Sequence, residues 1–466
     1  MRLLARWRHR TAWMVVIGFA LAVVCAAGVD YAWLHHHLVS GPFTVHSQGC
    51  AGKVQSKAPT NTAVGASTWT SFQAGPAHNP LLTTARKFAV SWSFSTGGSV
   101  VSAPSVVKGV VYAGSMDTCV YALNATTGRM IWAAATNNQV MSQPLVADGR
   151  VFVASGNKGY VGDVTRGTGQ SGLYALNAAT GAKEWFFPTV GENMPTPAYS
   201  NGVLYEAGGG RTFYAVDAST GKLLWQVNDG AIVSMSSMTL VGNIAVFGGC
   251  APCQLMGVNI QTHKLAWVLP LPQSDSGIDD GTPAALGNTV FIQAPEGSVF
   301  KQVVELALNA TTGQVLWQTT LGTDLLNPAQ RAAGEGALAA FDGEEVGVAT
   351  VAGNRLYVGS PGIPDLWALD PATGAIVWST HLSQAVRTPP LLVGGNLFMT
   401  GNSVLEELAA STGALEHTRV YNNFVEGTGI NIPCTTAAPV VVGGTMFLAG
   451  GNNGSTIIAS PLGAAS

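Results

Sequence analysis

Residues 120–132 read Val-Tyr-Ala-Leu-Asn-Ala-Thr-Thr-Gly-Arg-Met-Ile-Trp, and the phrase returns as LYALNAATGAKEW at 173–185, FYAVDASTGKLLW at 213–225 and LWALDPATGAIVW at 366–378. A short apolar strand runs into Asn or Asp, then into Thr-Gly, then into a second strand that reaches Trp. Asn and Asp bond their own backbone at a turn, and Gly takes the left-handed position at no steric cost, so the phrase is a β-hairpin. Seven such turns occur: Asn124–Gly128, Asn177–Gly181, Asp217–Gly221, Asn259–His263, Asn309–Gly313, Asp370–Gly374 and Ala409–Gly413. His263 departs from the Gly rule, and His tolerates that region better than bulky residues do. Four residues past the turn stand Trp132, Trp185, Trp225, Trp267, Trp317 and Trp378, with His417 in the seventh copy.

Upstream of each hairpin lies another apolar strand, marked by Tyr112, Phe152, Tyr205, Phe247, Phe291, Tyr357, Phe398 and Phe447. Eight residues before these aromatics come Pro104, Pro144, Pro197, Pro283, Pro390 and Pro439, with Thr239 and Ala349 in the other two copies. A period of roughly 40 residues means a propeller, solenoid or array, because one unit cannot bury its own apolar face. Each unit reads as a four-stranded antiparallel blade. In the first, strand one is near Pro104, followed by Val110–Ala113, Val120–Asn124 and Met130–Ala134. The eighth copy lacks a fourth strand, and Ala89–Phe94, with Trp92 in the expected place, supplies one from upstream. The expectation is an all-β, eight-bladed propeller over 69–466, its ring closed by that amino-terminal strand. Closure hides sheet edges that otherwise invite aggregation.

The amino terminus reads differently. Arg2, Arg6, Arg8 and Arg10 precede an uncharged run from Thr11 to Val29, which at ~1.5 Å per residue nearly spans a ~30 Å hydrocarbon core. Basic residues ahead of it place the terminus in the cytoplasm and the body outside. Residues 1–34 are thus expected to form a basic stub and one transmembrane helix, with a signal peptide cleaved near Ala27 as the alternative. Residues 35–68 are polar and aperiodic and read as a flexible tether.

Only 10% of residues are charged, against about 25% in ordinary proteins. Such a surface suits an acidic exterior, where carboxylates lose charge, or reflects a bias toward small residues. No basic patch of nucleic-acid type follows residue 10. The Gly-rich piece Thr165–Gly172 lacks the Gly-Lys-Ser/Thr ending of a phosphate loop. Cys50, Cys119, Cys250, Cys253 and Cys434 lie where disulfides persist. Their number is odd, and a local Cys250–Cys253 bond is the first expectation, with a redox dithiol or half a zinc site as alternatives. The run His35–His37 reads as polar linker.

The quoted phrases resemble the repeats of the pyrroloquinoline-quinone (PQQ) β-propeller superfamily across roughly residues 88–460. That resemblance implies the propeller and, because the superfamily holds quinoprotein dehydrogenases, BamB-type assembly scaffolds and tetrathionate hydrolases, several functions. Propellers line a central channel with their first strands. Counting back three from the Pro position gives a ring of Val101, Met141, Met194, Ser236, Asp280, Val346, Arg387 and Thr436, of which only Asp280 and Arg387 carry charge. Adjoining loops add Glu192, Asp275, Asp279, Glu344, Glu345 and Glu426. Crowded acids at one mouth are expected to include some with raised pKa values.

Three readings follow. The first is an extracytoplasmic, membrane-anchored binding or scaffolding module that takes a protein partner or small anion through its mouth loops. The alternative is an acid-adapted hydrolase resembling tetrathionate hydrolase, with Asp280 or Asp279 as the acid and Arg387 and Glu192 holding a dianion. The second alternative is a quinoprotein dehydrogenase. The resemblance implies PQQ with calcium for that last reading, but the adjacent cysteine pair against which such a quinone stacks has no counterpart here. No cofactor is expected, and PQQ with calcium stays open.

Overall fold

The computed structural model describes residues 50, 52–54, 81–82, 91–156, 171–274, 277–297, 302–323, 346–383, 385–400, 404–420, 437–451 and 455–462. They form eight antiparallel blades. Blade 1 comprises Ser105–Val107, Val110–Ser115, Cys119–Asn124 and Met130–Ala135, close to the ranges expected. Blade 8 is Val440–Val442, Thr445–Gly451 and Thr456–Pro461, completed by Trp92–Ser95. Trp92 pairs with Ala459 and Ser95 with Thr456, so the ring closes as the repeat count implies.

The turns explain the sequence phrase atom by atom. The Asn124 side-chain oxygen accepts from the Thr126 and Thr127 N–H groups at 3.0 and 2.9 Å, and Gly128 N–H donates to the Asn124 carbonyl at 2.8 Å. Gly128 sits at φ 67°, and a Cβ there would meet the Trp92 ring of blade 8 at 2.6 Å. Gly is therefore required twice, for the left-handed backbone and for the indole that covers it. The same indole donates to the Ala125 carbonyl at 2.9 Å. Trp132, Trp185, Trp267, Trp317 and Trp378 repeat the bond onto the turn of the next blade, at Ala178, Ala218, Ala310, Pro371 and Ala410. Trp225 instead stacks on His263, ring centroids 4.5 Å apart, which accounts for the one turn without Gly in its last place. Blade 8 has no such turn because its fourth strand comes from upstream, and the seam leading to it is the one where His417 replaces Trp.

Strand alternation sends neighbouring residues to opposite faces. Tyr112 packs toward blade 2, while Val111 and Ala113 pack toward blade 8. The apolar core is accordingly divided into clusters that each join adjacent blades. Nearer the axis, hydroxyls stitch first strands together. Gln143 N–H donates to Thr196 Oγ1 at 3.0 Å, Thr196 N–H to Ser237 Oγ at 2.9 Å, and Ser237 N–H to Thr282 Oγ1 at 3.1 Å.

Two strands lie beyond the repeat. Leu81–Leu82 runs parallel to Leu391–Val393, along the edge that the innermost strand of blade 7 turns to the axis. Lys53–Val54 pairs with Ser95 and Phe94 as an outermost fifth strand of blade 8, and Cys50 is disulfide-bonded to Cys119 of blade 1. The stretch 35–68, expected as a tether, thus carries two attachments to the ring. The transmembrane helix expected over Thr11–Val29 is unsupported. No helix among the described residues is long and apolar enough to cross a membrane, and Thr11–Val29, like His35–His37, Thr165–Gln170 and Cys434, falls outside them.

Candidate functional site

Antiparallel order puts both the strand two–three hairpins and the blade-to-blade crossovers at one end of the ring. At that mouth, a cavity on the channel axis is lined by Met141, Met194, Met235, Asp280 and Arg387, with Ser102, Gln143, Thr196, Ser237 and Thr282 among the residues deeper in. Among the described residues it encloses about 30 Å³, room for roughly two waters. A larger ligand therefore enters with one end and keeps the remainder in the mouth.

Asp280 and Arg387 come from the crossovers into blades 5 and 7. Their side chains are 13% and 7% exposed, and Arg387 Nη2 lies 3.8 Å from Asp280 Oδ2. A structural Arg–carboxylate pair closes to about 2.8 Å and often engages both prongs. This pair is about an ångström more open, and Asp280 Oδ1 is buried without a hydrogen-bond partner. The backbone that presents Asp280 is fixed. The Asp279 carbonyl accepts from the N–H groups of Ser234, Met235 and Ser236 at 3.1, 2.8 and 2.8 Å, and Asp280 N–H closes a turn onto the Gly277 carbonyl at 3.1 Å. The same bonds position Met235, whose sulfur is 3.9 Å from Arg387 Nη2.

Other expected ring residues are placed differently. Ser236 turns into the wall, where its hydroxyl donates to the Gly281 carbonyl and accepts from Gly248 N–H, and Met235 takes the axial place. Val348 rather than Val346, and Ser102 rather than Val101, line the cavity. Glu192 is fully buried in the crossover between blades 2 and 3, outside the cavity lining. The Asp279 side chain is also buried away from that lining. Asp275, Glu344, Glu345, Glu426 and Thr436 lie outside the described residues. Cys250 and Cys253 are joined in a disulfide on the strand two–three loop of blade 4.

Three carboxyls with raised pKa values among the described residues are ones the sequence reading did not single out. Glu206 and Glu305 sit inside blades 3 and 5, fully buried, with both oxygens of each lacking a partner. Burial pushes both well above the usual carboxylate range. Asp229, in the crossover between blades 3 and 4, is pushed up to about 7, chiefly by burial, against the opposing pull of the Ala231 N–H and the Arg211 charge. Arg211 donates to the carbonyls of Gly230 and Ala251 at 3.0 and 2.6 Å, joining that crossover to the disulfide loop. Each acid had a signal. In a chain so poor in charge, an acid inside the strands VLYEA (203–207) and QVVELALN (302–309) stands where other blades carry apolar residues.

The family model described as outer membrane protein assembly factor BamB matches residues 58–168, 156–306 and 300–463. The chain is 31% identical to a tetrathionate hydrolase of Acidithiobacillus ferrooxidans, over 86% of this chain and 87% of that one. It is 25% identical to the assembly factor BamB of Escherichia coli, over 68% of this chain and 78% of that one. Among solved structures it is similar to a europium-containing methanol dehydrogenase, with a TM-score of 0.62, 13% identity, and 84% of this chain and 98% of that one covered. That last likeness speaks for the fold alone.

Proposed function

The chain belongs to the PQQ-repeat β-propeller family, and on that premise we propose that it hydrolyses a sulfur–sulfur bond in a linear sulfur oxyanion of the tetrathionate class. The observation that carries this reading is the largely buried Arg387–Asp280 pair, 3.8 Å apart, in the axial cavity. A guanidinium offers a fixed fork of donors that fits an oxyanion group, and little solvent competes for it at 7% exposure. The reading puts one sulfonate end of the substrate on Arg387. Asp280 then faces the adjacent sulfur–sulfur bond. Water bonds to the sulfonate sulfur, which becomes hydrogen sulfate. The departing sulfane sulfur takes the electron pair of the broken bond and a proton from the Asp280 carboxyl, and the proton released by water restores that carboxyl. The similarity to tetrathionate hydrolase over most of both chains ranks this above the scaffolding reading, which rests on the lower identity to BamB.

A quinone with calcium fits these residues poorly. A dication needs about six to eight oxygen ligands, whereas the cavity sets one carboxylate beside a guanidinium. The body is further proposed to be extracytoplasmic and anchored through Thr11–Val29. Membrane fractionation and the mass of the amino-terminal peptide test that part.

The site is tested by incubating the full chain with tetrathionate in acidic buffer and measuring released sulfate. Asp280→Asn is expected to lower kcat about 10²- to 10⁴-fold by removing the proton donor, and Arg387→Ala to raise KM. Absence of turnover in the parent, with each single variant less stable and the Asp280→Asn/Arg387→Ala double variant partly restored, would leave the two residues as a structural pair.

A further inference from the structure

The axial cavity has two chemically distinct walls. Blades 5 and 7 contribute Asp280 and Arg387. Blades 2, 3 and 4 contribute Met141, Met194 and Met235 at the same level. Val101 and Met116 pack in one apolar cluster with these thioethers, behind the cavity lining. Blade 6 lines the same cavity with Val348, so an aliphatic side chain can fill such a place. Three thioethers from three consecutive blades are a chemical choice beyond filling space.

We propose that Met141, Met194 and Met235 form a recognition surface for divalent sulfur, which selects substrates carrying a run of sulfane sulfurs directly behind an anionic head. The inference rests on the sulfur–oxyanion reading of Asp280 and Arg387 and specifies which members of that class the site takes. A thioether is polarisable and a poor hydrogen-bond partner. A sulfonate pressed against it loses hydration with no compensating bond, whereas a neutral divalent sulfur loses almost none and gains dispersion contact. The two walls meet where the Met235 sulfur lies 3.9 Å from Arg387 Nη2. Charge is read on one side of that point and sulfur on the other. Tetrathionate, with two sulfanes between its sulfonates, engages both walls. Dithionate, whose sulfonates are bonded directly, engages only Arg387. The guanidinium beside the thioethers opposes a soft metal cation as the occupant.

The test is calorimetric binding of tetrathionate and of dithionate to the full chain in the Asp280→Asn background, with and without Met141→Leu, Met194→Leu and Met235→Leu combined. Leucine keeps the volume nearly constant, and such swaps usually leave a core folded; unchanged melting temperature checks this. The expected result is tetrathionate bound more tightly than dithionate with the methionines in place. The triple variant should lose about five-fold of that preference while dithionate affinity stays the same. Equal preference in both proteins overturns the proposal, as does equal affinity for the two anions with the methionines in place. The hydrolase reading fails separately, if the unmodified chain binds tetrathionate preferentially but releases no sulfate.

Discussion

At the turn end of the ring, blade after blade repeats the same few atoms: Asn or Asp holding a Thr-Gly turn, and the preceding blade's Trp lying over that turn and bonding its carbonyl. At the mouth end, blades differ from one another. Methionines stand at one side of the channel, a carboxylate and a guanidinium at the other, and acids are buried in blades 3 and 5 and in the crossover between blades 3 and 4. The contrast teaches where this protein keeps its stability and where it keeps its individuality. Bonds that seal the seams sit far from the cavity, so residues at the mouth are free to be chosen for chemistry. The seam into blade 8 shows the rule by exception, since it lacks the turn and the Trp together.

The largest effect tests closure. Deleting residues through Phe94 removes Trp92, which is fully buried, and strands Thr456–Pro461 as an open edge. The truncated chain is expected to lose cooperative unfolding by circular dichroism, whereas deletion through residue 68 should keep a folded ring that melts lower for want of the Cys50–Cys119 bond. Matching melting curves for the two would break the comparison at its root. Next, Trp317→Ala at its half-buried seam should cost about 2–3 kcal/mol, and leave tetrathionate KM unchanged. His417→Ala, at the seam without a turn, should stay within about 0.5 kcal/mol. Chemical denaturation of the two variants reads the difference, and equal losses would mean that seams do not depend on the indole.

The smallest effect belongs to the buried acids. Glu206 and Glu305 hold protons in the folded state well above the usual carboxylate pKa, so the folded ring binds more protons than the unfolded chain once pH exceeds ~4.3. Stability is then full below that pH and falls as pH rises toward the folded pKa values, by at most about 1.4 kcal/mol per group per pH unit. Asp229 adds its own decline up to about 7. Glu305→Gln should flatten the slope of melting temperature against pH between 5 and 8. A parent that is no more stable at pH 4 than at pH 7 would remove the acid-adapted character from the mouth half of the ring.

Much of this was legible in the sequence, for a physical reason. A turn that needs φ above zero and an indole that needs a flat seat admit few residues, so the phrase around Asn124 and Gly128 repeats visibly. Asp280 and Arg387 were found by counting from a proline, because Pro283 and Pro390 fix the backbone entering their strands. The same count slipped to Ser236 in blade 4, where Thr239 replaces the proline and the axial residue is Met235. Glu206 and Glu305 were overlooked because strand periodicity identifies a buried position without asking whether its occupant is polar. The attachment of Cys50 to Cys119 could not be read at all, since an odd set of cysteines leaves its pairing undetermined.

That attachment changes how the molecule bears load. A closing strand held by hydrogen bonds alone would be peeled, one bond at a time, by tension on the chain ahead of it. Here the covalent link between Cys50 and Cys119 lies upstream of Trp92–Ser95 and delivers such tension into the third strand of blade 1. Lys53–Val54 and the closing strand lie between the two bonded cysteines and are spared that load. Whatever pulls on the amino-terminal end of this chain pulls on the rim of a wheel whose fastening is sheltered from the tow-line.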